Sequence, residues 1–109
     1  MLSIFKSDKK YNIGLVLSGG AARGFAHLGI LQALEENNLK PDIISGVSAG
    51  AIAGAFYADG YSPIEILQIL KGKKMWEYVR LAFKRQGLMK ITGLDNILRQ
   101  YLRANTFEE

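Results

Sequence analysis

Two short apolar runs, residues 12–17 (NIGLVL) and 42–47 (DIISGV), each end in small residues and lead straight into a helix-patterned segment. Runs of this length, rich in branched side chains, suit strands buried on both faces. Between them, from residue 23 to about 37, Gln32, Glu35 and Glu36 keep apart from Phe25, Ile30, Leu31 and Leu34. That pattern predicts a helix packed on a sheet, stopped by Asn37, Asn38 and Pro41. Residues 49–58 are long enough and Ala-rich enough for a second helix, closed by Asp59-Gly60. A strand-helix-strand crossover is right-handed in nearly all cases, and parallel neighbours deliver their carboxyl-end loops to one edge of the sheet. The turn after Leu17 and the turn at residues 46–50 are therefore expected to face one another across a crevice.

Ser62-Pro63-Ile64-Glu65 has an N-cap Ser, a Pro at the first helical position and a Glu three residues after the cap, so it opens a third helix to about Lys71. Thr92-Gly93-Leu94-Asp95 reads as the cap of a last helix running to about Arg103. With 109 residues and 49% hydrophobic side chains the chain is one domain at most, with the makings of a packed core and without repeats or linkers. It has no Cys and one His, which excludes a disulfide framework and a Cys- or His-rich metal site. No metal or organic cofactor is expected. The longest apolar stretch, residues 49–58, falls short of the roughly 18–20 residues that a spanning helix needs. The charged start lacks a signal-peptide core, and a cytoplasmic location is the expectation.

Charge is uneven. Residues 1–70 carry five basic and six acidic side chains, whereas residues 71–109 carry nine basic and four acidic ones. Within this half, residues 73–90 (KKMWEYVRLAFKRQGLMK) combine Met75, Trp76, Tyr78 and Phe83 with cations. That composition suits a peripheral membrane contact, as docking surface or lid, and equally a plain packing helix with snorkelling Lys and Arg. Nucleic acid is not expected as a partner, since no reading motif accompanies the charge.

Gly46-Val47-Ser48-Ala49-Gly50 matches G-x-S-x-G at a strand-to-helix junction. Ser48 then stands at the apex of a tight turn, Gly46 and Gly50 avoid collisions with neighbouring backbone, and the first N–H groups of the next helix, from Ala49, point toward the hydroxyl. Such a turn can attack a carbonyl and hold the oxyanion. Taken alone, it also reads as an ordinary N-cap Ser. The second loop, Ser18-Gly19-Gly20-Ala21-Ala22-Arg23-Gly24, could complete an oxyanion hole with N–H groups at Gly20 and Ala21. The dinucleotide fingerprint fails, because its middle Gly would be Ala21, and no Walker-type Gly-Lys-Ser follows. Arg23, a cation in a first helical turn, braces the loop, strengthens the field at the site or is simply exposed. His27 precedes Ser48, against the Ser-acid-His order of α/β-hydrolases, and reads as a structural side chain. No carboxylate is well placed as a base: Asp42 starts a strand, Asp59 ends the helix leading away from Ser48, and Asp95 sits on an outer helix.

Together these loops resemble the patatin-like phospholipase family in its bacterial-type form. The stretch GLVLSGGAARGFAHLGILQALEENNLKPDIISGVSAGAIAGAFYADG is similar to that family's N-terminal core almost throughout. The resemblance implies a lipid acyl hydrolase with a Ser–Asp dyad in a three-layer α/β/α fold with parallel strands. It assigns Ser48 as nucleophile, Gly19, Gly20 and Ala21 as oxyanion donors beside the Ala49 N–H read from the turn, and Arg23 and Gly24 as supports of the loop. Ala21 replaces a Gly often found there. The family's Asp lies in a later Asp-Gly-Gly or Asp-Gly-Ala motif, and Asp59-Gly60-Tyr61 does not correspond to it. Residues 1–109 thus read as the N-terminal portion of a single patatin-like domain with an incomplete sheet, inactive alone and inclined to self-associate through its exposed sheet edge. A non-catalytic module that binds lipid or a partner through the basic half is the alternative.

Overall fold

The computed structural model describes residues 11–75, 77 and 91–108. Strands β1 (Gly14–Leu17) and β2 (Ile43–Gly46) pair in parallel, with Gly14 opposite Ile43 and Leu17 opposite Gly46. A 3₁₀ turn (Ala21–Gly24) runs into helix α1 (Phe25–Glu36), and β2 runs into α2 (Ala49–Ala58). Helices α3 (Pro63–Lys71) and α4 (Ile91–Tyr101) follow. The chain is thus α/β, with parallel strands and an open sheet.

The strands are shorter than expected at their outer ends, and burial on both faces does not hold. Leu17 is buried and Leu15 and Ile44 are half-buried, whereas Val16 is 78% and Ile43 46% exposed. One face of the sheet is covered and the other is open among the described residues. The helices explain this asymmetry. Helix α2 packs on both strands, while α1 packs chiefly on α3 instead of on the sheet. Small residues permit the close approach of α2: a Cβ added at Gly54 would lie 3.0 Å from Ile44 Cγ2. Helix α2 thus contacts the sheet as well as α1 and α3, while its Ala51, Ala55 and Ala58 stay exposed.

Leu28 and Leu31 from α1, Ala53, Phe56 and Tyr57 from α2, and Ile66 from α3 form the core. Burying a side chain such as Phe56, Leu31 or Ile66 stabilises the fold by about 1.5–3 kcal/mol each. The Tyr57 hydroxyl donates to Glu35 Oε1 at 2.9 Å, tying α2 to α1. Burial, aided by the neighbouring carboxylate, pushes the Tyr57 phenol up to about 12, so it remains a donor at neutral pH.

The capping box opening α3 forms as expected: Glu65 N–H donates to Ser62 Oγ at 3.3 Å, and Ser62 N–H donates to Glu65 Oε2 at 2.7 Å. The expected cap of the last helix does not hold. The chain is already helical at Ile91, so Thr92 lies inside α4, which ends at Tyr101 instead of Arg103. The C-terminal end is fastened to the end of α2, where the Asp59 carboxylate accepts the N–H groups of Arg103 and Ala104, both at 2.9 Å.

At the end of the sheet remote from the crevice, Asp42 Oδ2 accepts the N–H groups of Asn12 at 2.8 Å and Ile13 at 3.0 Å. The hydrogen bond from Ile13, then that from Asn12, holds the Asp42 carboxyl below its ordinary value. A lowered folded-state value means stability that is present above the unfolded value, near 4, and lost as pH falls through the folded one. Asp42→Asn is therefore expected to lower the melting temperature at pH 7 and to match the parent chain near pH 2. A gap that stayed constant between those two pH values in thermal melts would refute this clamp.

Candidate active site

The turn at residues 46–50 takes its shape from the collisions its glycines avoid. A Cβ at Gly46 would lie 2.6 Å from the Gly50 carbonyl oxygen and 2.7 Å from Ala51 N. One at Gly50 would lie 2.6 Å from both the Leu17 carbonyl carbon and the Ser18 carbonyl oxygen. The chain therefore turns from β2 into α2 hard against the end of β1, where Val47 N–H donates to the Leu17 carbonyl at 3.0 Å. Between these two glycines Ser48 is forced to φ 53°, ψ −122°. A non-glycine residue held in so sparsely populated a region stores about 1–3 kcal/mol of strain.

Ser48 occupies the N-cap position of α2 but makes no side-chain cap bond. Ser62 shows the ordinary alternative, with φ −71°, ψ 157° and a capping hydroxyl. At Ser48 the strained backbone goes with a hydroxyl that makes no such cap. Ser48 is exposed. Its hydroxyl has no hydrogen-bond partner among the described residues.

The glycine-rich loop stands directly beside it. A Cβ at Gly19 would lie 3.4 Å from Ser48 Cβ and 4.0 Å from its Oγ. Five residues on, a Cβ at Gly24 would lie 2.6 Å from that of Ala49, so the 3₁₀ turn is seated on the first turn of α2. The two loops share one edge of the sheet, as the parallel order of the strands requires. Gly20 (φ 154°) and Ala21 (φ 49°) both have positive φ. At Ala21 the left-handed conformation costs roughly 1–2 kcal/mol, which a glycine would avoid. Gly19, Gly20, Ala21 and Ala49 each have a backbone N–H without an acceptor among the described residues. Arg23 N–H closes the 3₁₀ turn on the Gly20 carbonyl at 2.9 Å, and its guanidinium is exposed, with no partner among the described residues.

The structure also gives His27 a partner that spacing alone did not reveal. Its Nε2 lies 2.7 Å from the Ser18 carbonyl oxygen, so the one imidazole of the chain is engaged by the loop, not by Ser48. Asp42, Asp59 and Glu65 bond backbone N–H groups elsewhere, Glu35 accepts from Tyr57, and Asp95 pairs with Arg99 at 2.8 Å. A small apolar cavity of about 60 Å³ adjoins the loop, lined by Ala21, Phe25, Ala49, Ile52, Leu70 and Met75, among others. A larger cleft of about 360 Å³ lies at the opposite end of α2, between Ala58 and Phe107. The proposed membrane contact at residues 73–90 lies outside the described residues except for 73–75 and 77, and Met75 itself is buried.

The family profile for patatin-like phospholipases matches residues 15–109, covering both loops and every described helix. The chain belongs to the patatin-like phospholipase family. Among curated relatives it is similar to lysophospholipase NTE1 of Candida glabrata, 52% identical over 59 residues, which are 54% of this chain and 3% of that protein. The corresponding protein of Saccharomyces cerevisiae is 50% identical over 54 residues, 50% of this chain and 3% of the relative. That of Aspergillus fumigatus is 56% identical over 46 residues, 42% of this chain and again 3% of the relative. The matched part thus spans a small fraction of these relatives.

Proposed function

We propose that this family member is a serine ester hydrolase acting on lipid acyl esters, with Ser48 as the nucleophile. The observation that carries the reading is the strained, uncapped and exposed Ser48 with Gly19 packed against it. Ser48 Oγ attacks the ester carbonyl carbon, and its proton passes to a carboxylate base. The carbonyl oxygen becomes an oxyanion held by N–H groups of Gly19, Gly20, Ala21 and Ala49. Collapse expels the alcohol, which takes up the proton, and water then cleaves the acyl-enzyme.

Unpaired N–H groups at a helix start and in an adjoining glycine-rich loop favour negative charge without any metal ligand. Beside them, the cavity lined by Ile52, Leu70 and Met75 suits an apolar substituent on the substrate. The family and its lysophospholipase relatives supply the lipid ester as substrate class. The resemblance supplies the base as the family's later Asp, and Asp42, Asp59, Glu35, Glu65 and Asp95 are each bonded to other groups.

A fluorophosphonate probe is expected to label the full-length protein at Ser48, located by peptide mass mapping, while the 109-residue chain alone turns over no ester measurably. Labelling at another serine would end the assignment, and brisk turnover by the isolated chain would show that its base lies within these residues.

A further inference from the structure

Oxyanion stabilisation depends on where a loop aims its amides, and one side chain of α1 holds the peptide that carries Gly19 N–H. Gly19 and Gly20 lie outside any helix or strand, and glycine has the widest backbone freedom of any residue. The segment is held at three of its carbonyls. Leu17 O accepts Val47 N–H at 3.0 Å, Ser18 O is met by His27 Nε2 at 2.7 Å, and Gly20 O accepts Arg23 N–H at 2.9 Å. Only the middle tether comes from a side chain, and only it acts on the peptide that carries Gly19 N–H.

A carbonyl oxygen can only accept, so Nε2 must carry the hydrogen, which fixes the donor role of the imidazole. The Ser18–Gly19 peptide is trans and planar, as no cis bond occurs among the described residues. Its C=O and N–H consequently point in opposite directions. Holding the carbonyl toward α1 turns Gly19 N–H away from α1, while a Cβ on the same residue would stand 3.4 Å from Ser48 Cβ. The tether, together with the close approach of Gly50 to the Ser18 oxygen, therefore selects one orientation of a peptide to which Gly19 would otherwise allow more freedom.

We propose that His27 is a positioning residue whose Nε2–H, by holding the Ser18 carbonyl, keeps the amide of Gly19 aimed at the oxyanion formed beside Ser48. This rests on the ester-hydrolase reading above. Removing one oxyanion donor outright lowers kcat by about 10²–10³, so misaiming one is expected to cost about 10- to 100-fold.

The test uses the full-length protein, with p-nitrophenyl butyrate as substrate and an alkyl trifluoromethyl ketone, which forms an oxyanion on the attacking serine, as inhibitor. His27→Leu is expected to lower kcat by about 10- to 100-fold with little change in KM, and to weaken ketone binding by a similar factor. His27→Gln, whose amide N–H occupies nearly the place of Nε2–H, is expected to stay within about threefold of the parent in both. Should His27→Leu fail to fold, His27→Asn, polar but one methylene short, takes its place with the same expected contrast to His27→Gln. Equal losses in the Gln variant and its comparator, or a comparator with unchanged kcat and ketone affinity, would overturn the positioning role while leaving Ser48 in place. Absence of both ester hydrolysis and Ser48 labelling in the parent protein would overturn the hydrolase reading itself, and this role with it.

Discussion

Replacing Ser48 with Ala is expected to lower ester hydrolysis by the full-length protein by roughly 10⁴-fold or more, the scale seen when a nucleophilic serine is removed from a hydrolase. Stability is the informative second measurement. Alanine at φ 53°, ψ −122° bears the same backbone strain as serine, and the hydroxyl caps nothing, so Ser48→Ala is expected to melt within about 1 °C of the parent. Ser48→Gly removes the strain and is expected to raise stability by about 1–3 kcal/mol while abolishing hydrolysis as completely. A residue whose replacement by glycine stabilises the fold is kept strained for some other reason, and the exposed hydroxyl is the group that benefits. Substantial activity in Ser48→Ala would eliminate the nucleophile. A large loss of stability in Ser48→Gly would mean that the turn is not strained and that the hydroxyl is structural.

What the sequence made legible is what depends on local chemistry. Ser62, Pro63 and Glu65 specify a helix start through three adjacent residues, and the cap forms as read. The bounds of α2 follow from the glycine turn before it and Asp59-Gly60 after it. The approach of the two loops follows from parallel strand order, which needs no side-chain detail. The differences arise where distant packing decides. Ile43 and Val16 have the composition of doubly buried strand residues, yet their exposure depends on which helices cover which face. Helix α1 carries an apolar stripe that fits a sheet or another helix equally well, and only the small residues of α2 decide that α2 takes the sheet and α1 takes α3. Thr92 looks like a cap because Thr-Gly-Leu-Asp is a good start, but the helix already includes Ile91. The His27 tether spans nine residues and ends on a backbone carbonyl, a partner with no signature in the side-chain alphabet.

The second large effect is structural and concerns a single methyl group. Gly50→Ala is expected to destabilise the chain by about 3 kcal/mol or more, or to prevent folding, even though alanine is the better helix former by about 1 kcal/mol. The reason lies in what the methyl would meet: the Leu17 carbonyl group and the Ser18 carbonyl oxygen, all of them backbone. No rotamer change relieves such a contact, so α2 would have to lift from the end of β1. Gly29→Ala supplies the control. Gly29 lies in α1 with open space where its Cβ would stand, so there the gain in helix propensity is expected to appear undiminished, at about 0.5–1 kcal/mol of added stability. Urea titrations of the two variants beside the parent should therefore move in opposite directions. If both variants were stabilised, the close approach of α2 to β1 would be refuted, and with it the geometry that sets Ser48 beside Gly19. If Gly50→Ala alone is destabilised, the folded fraction that remains should also react more slowly with the fluorophosphonate, because the contact that forces α2 away from Leu17 also moves Ser48 away from the amides of the glycine-rich loop.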